Sequence, residues 1–260
     1  MRATRWSVLL VTMIVSGVGD SRALDNASSS AASGKVRDEV LRTATARLQG
    51  DEASIRQAFS TLSELGGDAA AEAVVTRLQR GLPPQLIEAA IDDLVLLNRP
   101  VASAALLELT QHRRIQIRIK AMQALGALKQ RSAQAVLLYA LDDPSSDVRS
   151  AAVDALATVG NARALPALLT AAERNVPGAW TAIGSLASPA DVKTVLAQVQ
   201  DGDVMPIRPA LDALVERRDL PLEARVRAVQ QLVALGSPSA RVCLSDWMAK
   251  GASDEPARLK

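Results

Sequence analysis

The 260-residue sequence contains one histidine, His112, and one cysteine, Cys243. Transition-metal sites and pairs of nucleophile and base are assembled from several such side chains. The sequence also has no serine in a G-x-S-x-G turn and no glycine-rich phosphate loop. We therefore predict no catalytic residue, no metal site and no cofactor, and we expect that the chain is not an enzyme.

Carboxylates could still hold a cation. Asp142, Asp143 and Asp147 lie close together in the segment "DDPSSD". Proline and serine next to aspartate are typical of a turn that leads into a helix, where the aspartate accepts hydrogen bonds from the backbone. A capped turn is the favoured interpretation of this segment.

A short pattern recurs along the chain and indicates the elements that position these side chains. It consists of alanine, a large apolar residue, two variable positions and leucine, and its seven copies begin at Ala58, Ala90, Ala121, Ala152, Ala182, Ala210 and Ala228. The alanine, the apolar residue and the leucine share one face of an α-helix. The motif leucines are separated by 32, 31, 31, 30, 28 and 18 residues.

Each motif helix has a partner. Twelve residues after the motif leucine a second apolar residue appears, at Val74, Leu106, Leu137, Leu168 and Leu244. A helical hairpin of about 31 residues cannot bury its apolar face alone and must stack on its neighbours. We predict an all-α fold, an α-α superhelix of about seven helical-hairpin units over residues 36–250, irregular near residues 200–222.

The segment "DPSSDVRSAAVDALATVGNARALPALLTAA" resembles the short bacterial HEAT repeat that is also found in phycobiliprotein lyases. The resemblance implies a helical solenoid with a concave binding face. It further implies that an arginine seven residues before the motif leucine, as at Arg118, Arg149 and Arg225, pairs with a carboxylate between repeats. HEAT proteins include scaffolds, inhibitors and a few enzymes, so fold alone does not fix function. The iron hydroxylases among them need several His-Glu pairs, which this chain lacks.

Two groups of exposed residues are candidate sites. The position two residues before each motif leucine should face outward, and no copy has a large apolar residue there. The candidate partner surface comprises Asp92, Asp93, Gln123, Asp154, Asp212 and Trp180, the last of which either fills space or anchors a partner. The candidate basic patch comprises Arg113, Arg114, Lys120, Lys129 and Arg131, which either bind an acidic partner or anionic membrane or are solvated helix ends.

The N-terminus is typical of an export signal, with Arg2 and Arg5, a short apolar run and Ser21-Arg22-Ala23. We predict a signal peptide over residues 1–23, a flexible spacer over 24–35 and a disordered tail over 251–260. An uncleaved anchor is the alternative. Cleavage would remove three of 30 basic and one of 28 acidic residues, leaving 27 of each.

A mature chain without net charge does not favour nucleic acid as a partner. We predict a periplasmic or secreted, non-catalytic scaffold that binds a protein or peptide, with no integral membrane segment after cleavage. The alternative is a chromophore-lyase-like enzyme or its regulatory subunit. The sequence leaves the oligomeric state open.

Export predicts a definite N-terminus. Mass spectrometry of the protein isolated from its native host should show a chain that begins at or near Leu24, because signal peptidase cleaves after small residues. A full-length product in the cytoplasm would contradict export.

Overall fold

A computed structural model describes residues 23–253, and the side chains of residues 34–249. This part of the chain contains fourteen α-helices and no strand. They are α1 (Ala23–Arg47), α2 (Glu52–Leu65), α3 (Asp68–Gln79), α4 (Pro84–Leu97), α5 (Pro100–Leu109), α6 (Ile115–Ala127), α7 (Gln134–Ala140), α8 (Ser146–Val159), α9 (Leu165–Glu173), α10 (Ala179–Leu186), α11 (Val192–Leu196), α12 (Arg208–Glu216), α13 (Leu222–Leu235) and α14 (Pro238–Ser253). The predicted all-α superhelix is confirmed.

The helices form two series. The first series consists of α2, α4, α6, α8, α10 and α12, each packed against the next. The second series consists of α3, α5, α7, α9, α11 and α13, and contacts within it include α3 with α5 and α11 with α13. At the N-terminal end α1 packs on α2 and α3, and at the C-terminal end α14 packs on α13.

The repeated pattern forms the core, because its three apolar positions face the neighbouring helices. In α8, Ala152, Val153 and Leu156 are completely buried. Small residues allow first-series helices to approach closely. The closest approach is at Gly184 of α10, where a Cβ atom would lie 2.2 Å from the carbonyl oxygen of Ala210 in α12. Any larger residue at position 184 would push these two helices apart.

Helix ends follow the expected chemistry with one exception. Asp51 caps α2 by accepting a hydrogen bond from the backbone N–H of Ser54 at 2.9 Å. Asn98 and Gly236 end α4 and α13 in the left-handed conformation. Gly160, which ends α8, has φ −72° instead. A Cβ atom there would lie 2.9 Å from Leu186 Cδ1, so close packing explains this glycine.

The chain ends differ from the sequence prediction. Residues 24–35, predicted as a flexible spacer, are part of α1, which begins at Ala23. Residues 251–253 of the predicted tail are the end of α14. The rest of that tail and residues 1–22 of the predicted signal peptide lie outside the described residues. Among the helices that are described, none combines the length and apolar character needed to cross a membrane.

The irregularity near residues 200–222 has two parts. The second-series helix α11 has only five residues, and a loop without helix follows over residues 197–207. Five residues then join α12 directly to α13, and Arg217 of this turn donates to the carbonyl oxygens of Gly184 and Ala187. The sixth and seventh motif copies are therefore the two helices of one hairpin, so seven copies form six hairpins.

This arrangement places α13, which carries a first-series motif, in the second series. Its motif residues Ala228 and Leu232 are buried. In a first-series helix, further apolar residues would pack against the helices on either side. Because α13 is the last helix of the second series, it has a neighbour of that series on one side only. Leu222, Val226 and Val233 are consequently exposed, by 66%, 41% and 60%.

The free energy of unfolding should depend most on the buried positions of the repeated motif. We expect Leu156→Ala to lower the free energy of unfolding by ~2–5 kcal/mol, because it leaves a cavity in a packed interface. Ala152→Leu should cost ~1–3 kcal/mol by overpacking the contact between helices. Asp154→Ala, an exposed control on the same helix, should change it little. Equal losses at all three positions in urea unfolding would contradict the assignment of the buried face.

Candidate functional site

The residues two positions before the motif leucine form an exposed row across the first-series helices. We call Ser60, Asp92, Gln123 and Asp154 the polar row; each is exposed, as predicted for this position. The row ends at α10, where the corresponding residue is the buried Gly184.

Two contacts tie the carboxylates of α4 to the neighbouring first-series helices, α6 and α2. Lys120 Nζ of α6 lies 2.6 Å from Asp92 Oδ2 of α4. Ser63 of α2 donates its hydroxyl to Asp93 of α4. Burial raises the pKa of Asp93, the hydrogen bond from Ser63 opposes that rise, and the neighbouring Asp92 charge adds to it. These carboxylates are already engaged with neighbouring helices.

Asp154 lies at the position in α8 that Asp92 has in α4, but it has no matching cation. Lys120 stands five residues before the motif leucine of its helix, and the same position in α10 is Thr181. Within the described residues Asp154 makes no hydrogen bond or ion pair, and burial raises the pKa of its carboxyl. A Cβ atom on Gly178, before α10, would lie 3.1 Å from Asp154 Oδ1.

A groove adjoins this carboxylate. It has a volume of about 210 Å³ and is lined by residues that include Asn175, Gly178, Trp180, Thr181 and Pro209. Trp180 is partly buried and packs against the core while it borders the groove. Asn175 and Gly178 both have positive φ, 56° and 79°, which turns the chain sharply before α10. Gly178 therefore lies between Asp154 and the groove that Trp180 borders.

Asp212 does not belong to this surface, and its prediction as a partner residue is corrected. Trp247 of α14 donates its indole N–H to Asp212 Oδ1 at 2.6 Å, and Arg208 Nε lies 3.5 Å from Asp212 Oδ2. A second bond from Arg208 reaches Asp246 of α14 at 2.6 Å. The terminal helix thus occupies the place next to α12 and covers the carboxylate.

The candidate basic patch is not one surface. Arg113 and Arg114 precede α6, whereas Lys129 and Arg131 follow it. A 13-residue helix is about 20 Å long, so the two pairs lie at opposite ends. Lys120, between them, is paired with Asp92. Residues that are close in sequence are separated here by the length of a helix.

The cluster around residue 143 is structural. Arg118 and Asp143 form an ion pair of 2.9 Å with side chains only 15% and 14% exposed, and Asp143 also accepts from the Ser145 N–H. Asp142 is paired at 2.6 Å with Arg174, which directly follows α9. Among the described residues no group of acidic, histidine and cysteine side chains could hold a metal ion. The capped turn is thus the structure of this segment, and Arg118 makes the predicted pair between repeats. Arg149, at the same repeat position, donates instead to the backbone carbonyl oxygens of Asp143 and Pro144.

The two residues with the most reactive side chains have packing roles. Cys243 is buried in α14, and burial raises the pKa of its thiol. His112 Nδ1 accepts from the Arg114 N–H at 3.1 Å. Burial and the charges of Arg113 and Arg114 lower the pKa of His112, which keeps its imidazole neutral at pH 7.

Sequence reasoning missed the contact between adjacent helices. It treated Lys120 as part of the basic patch and gave Thr181 no role. The signal was available, because Asp92 with Lys120 and Asp154 with Thr181 occupy equivalent positions of the repeat, 28 and 27 residues apart. Comparing the residues at these equivalent repeat positions would have identified one carboxylate that has a cation opposite it and one that has none.

Comparison with known proteins supports the repeat. Residues 103–187 match the family model for HEAT repeats. No curated protein matches the chain. The chain is similar to the complex of CpcE and CpcF of phycocyanin lyase from Nostoc sp. PCC7120, with 20% identity, 85% of this chain and 93% of that chain covered and a TM-score of 0.39. It is also similar to human deoxyhypusine hydroxylase in complex with glycerol, with 17% identity, coverage of 87% and 93% and a TM-score of 0.43. Residues 103–187 therefore contain HEAT repeats.

These similarities correct the expectation that the chain is not an enzyme. Both solved structures are of enzymes, a lyase and a hydroxylase. The prediction that excluded enzymatic activity is therefore wrong. The physical reason is that a single histidine and a single cysteine exclude only the sites that need several of them. Chemistry that relies on carboxylates or on a partner subunit requires neither.

Proposed function

We propose that this stack of HEAT repeats binds a segment of another protein along the polar row, from α4 to the groove beside α10. One observation carries the proposal: the row is exposed on α4, α6 and α8 and ends beside a groove, at a carboxylate for which the described residues supply no cation. Export of the chain, as its N-terminus indicates, would place this binding in the periplasm or outside the cell.

The spacing of the row suits an extended segment. Neighbouring packed helices lie about 8–10 Å apart, so Asp92, Gln123 and Asp154 span roughly 20 Å. An extended chain advances about 3.3 Å per residue, so about six residues would cross the three helices. Exposed amide and carboxylate oxygens can accept hydrogen bonds from the backbone and side chains of such a segment.

The charge of the row indicates the kind of segment. Lys120 neutralises Asp92 and Gln123 is uncharged, which leaves the Asp154 carboxylate as the net charge of the row. A segment with basic character complements this surface. Binding of a protein segment would also serve a protein-modifying enzyme or its subunit, so the proposal holds with or without a chemical step.

Peptide selection tests the proposal. Peptides selected from a random displayed library against the full chain should bind at the polar row. We expect Gln123→Arg to weaken most selected peptides by about tenfold, because it places a cation in the middle of the row. Gln79→Arg makes the same change at an exposed position on the second series and should leave affinity unchanged. Calorimetry would measure both affinities.

Either of two results would reject the proposal. Loss of binding in the Gln79 variant alone would place the binding face on the second series. Failure to select any peptide that binds above background would remove peptide binding as the function.

A further inference from the structure

We propose that the groove lined by Trp180 and Gly178, with Asp154 next to Gly178, binds the cationic side chain of a lysine or arginine. This inference rests on the proposed function and names the residue type that the bound segment presents at the end of the polar row. Three features of the structure carry it.

The first feature is the missing cation of the repeat. Between α4 and α6 the carboxylate of Asp92 meets the ammonium group of Lys120 at 2.6 Å. Between α8 and α10 the equivalent positions hold Asp154 and Thr181, and a threonine hydroxyl brings no charge. The repeat positions that pair a carboxylate with a cation between α4 and α6 therefore recur between α8 and α10 without the cation. A ligand ammonium or guanidinium group would complete it.

The second feature is the aromatic ring. Trp180 borders the groove together with Gly178, which lies against the Asp154 carboxylate, and Thr181. Cations bind favourably over the face of an indole ring, which is the strongest such partner among side chains. Trp180 makes no hydrogen bond within the described residues, whereas the Trp247 N–H is held by Asp212. The ring of Trp180 is thus not committed to a polar partner in the chain.

The third feature is size. The volume of about 210 Å³ is below the roughly 300–1,000 Å³ of sites that enclose a small molecule. A single side chain with its charged end suits this space better than a whole metabolite. The apolar stem would lie along Pro209 and Trp180 while the charged end reaches Asp154.

A pair of short peptides tests the inference. The isotope-labelled full chain would be titrated with Gly-Gly-Arg-Gly-Gly and with the same peptide carrying citrulline, which is uncharged and of nearly the same shape. The indole N–H signal of Trp180 should shift and saturate with the arginine peptide. The citrulline peptide should bind at least about tenfold more weakly, since it cannot form the charged pair.

Matched variants localise the effect. Asp154→Asn should weaken the arginine peptide by about tenfold, whereas Asp68→Asn removes a carboxylate that lies off the polar row and is already paired with Arg99, and should have no effect. Thr181→Lys supplies the missing cation from within the chain and should block the site. The melting temperature of each variant would show that the fold is retained.

Three results would overturn the inference: no saturable shift of Trp180, equal affinity for the arginine and citrulline peptides, or equal losses in the Asp154 and Asp68 variants. Each can occur while Gln123→Arg still weakens the binding of selected peptides. Failure at the groove is therefore distinguishable from failure of peptide binding along the row.

Discussion

Close packing of neighbouring first-series helices through one alanine per repeat is the constraint on which the rest of the structure depends. The alanines are fully or almost fully buried in all six first-series copies, from Ala58 to Ala210. Between α10 and α12 even an alanine would be too large at position 184. Because the helices are so close, side chains that flank the contact reach across to the next helix. The polar bridges of the surface are thus a consequence of the packing beneath them.

The repeats share one arrangement of helices but carry different residues, which gives each repeat its own surface. Where the residues are complementary, as at Asp92 and Lys120, the surface charges pair with each other. Where they are not, as at Asp154 and Thr181, the same geometry leaves a charge without a partner. A carboxylate that is partly removed from water and unpaired is disfavoured in its ionised form, which is why the pKa of Asp154 is raised. A ligand cation that pairs with Asp154 would therefore gain binding free energy at the point where the repeat lacks its own cation.

The sequence predicted the features that are periodic and failed at those that are not. The buried positions of α8 and the outward position of Asp154 followed from helical periodicity alone. Asp212 shares that position but is covered, because α14 docks at the end of the stack and no repeat pattern describes an end. The basic patch failed because α6 separates residues that the sequence places close together. The exclusion of enzymatic activity failed because it counted only histidine and cysteine.

The central claim is that Asp154 is a carboxylate without a partner among the residues of its chain that the structure describes. The most direct test is to measure its pKa by carboxyl NMR in the free full chain and in the Thr181→Lys variant. We predict a pKa above that of an ordinary aspartate in the free protein, and a fall when the lysine is introduced, because a nearby cation stabilises the ionised form. A lowered pKa in the unmodified chain would show that Asp154 is already paired, and an ordinary pKa would show that it is fully solvated; either result would contradict the account.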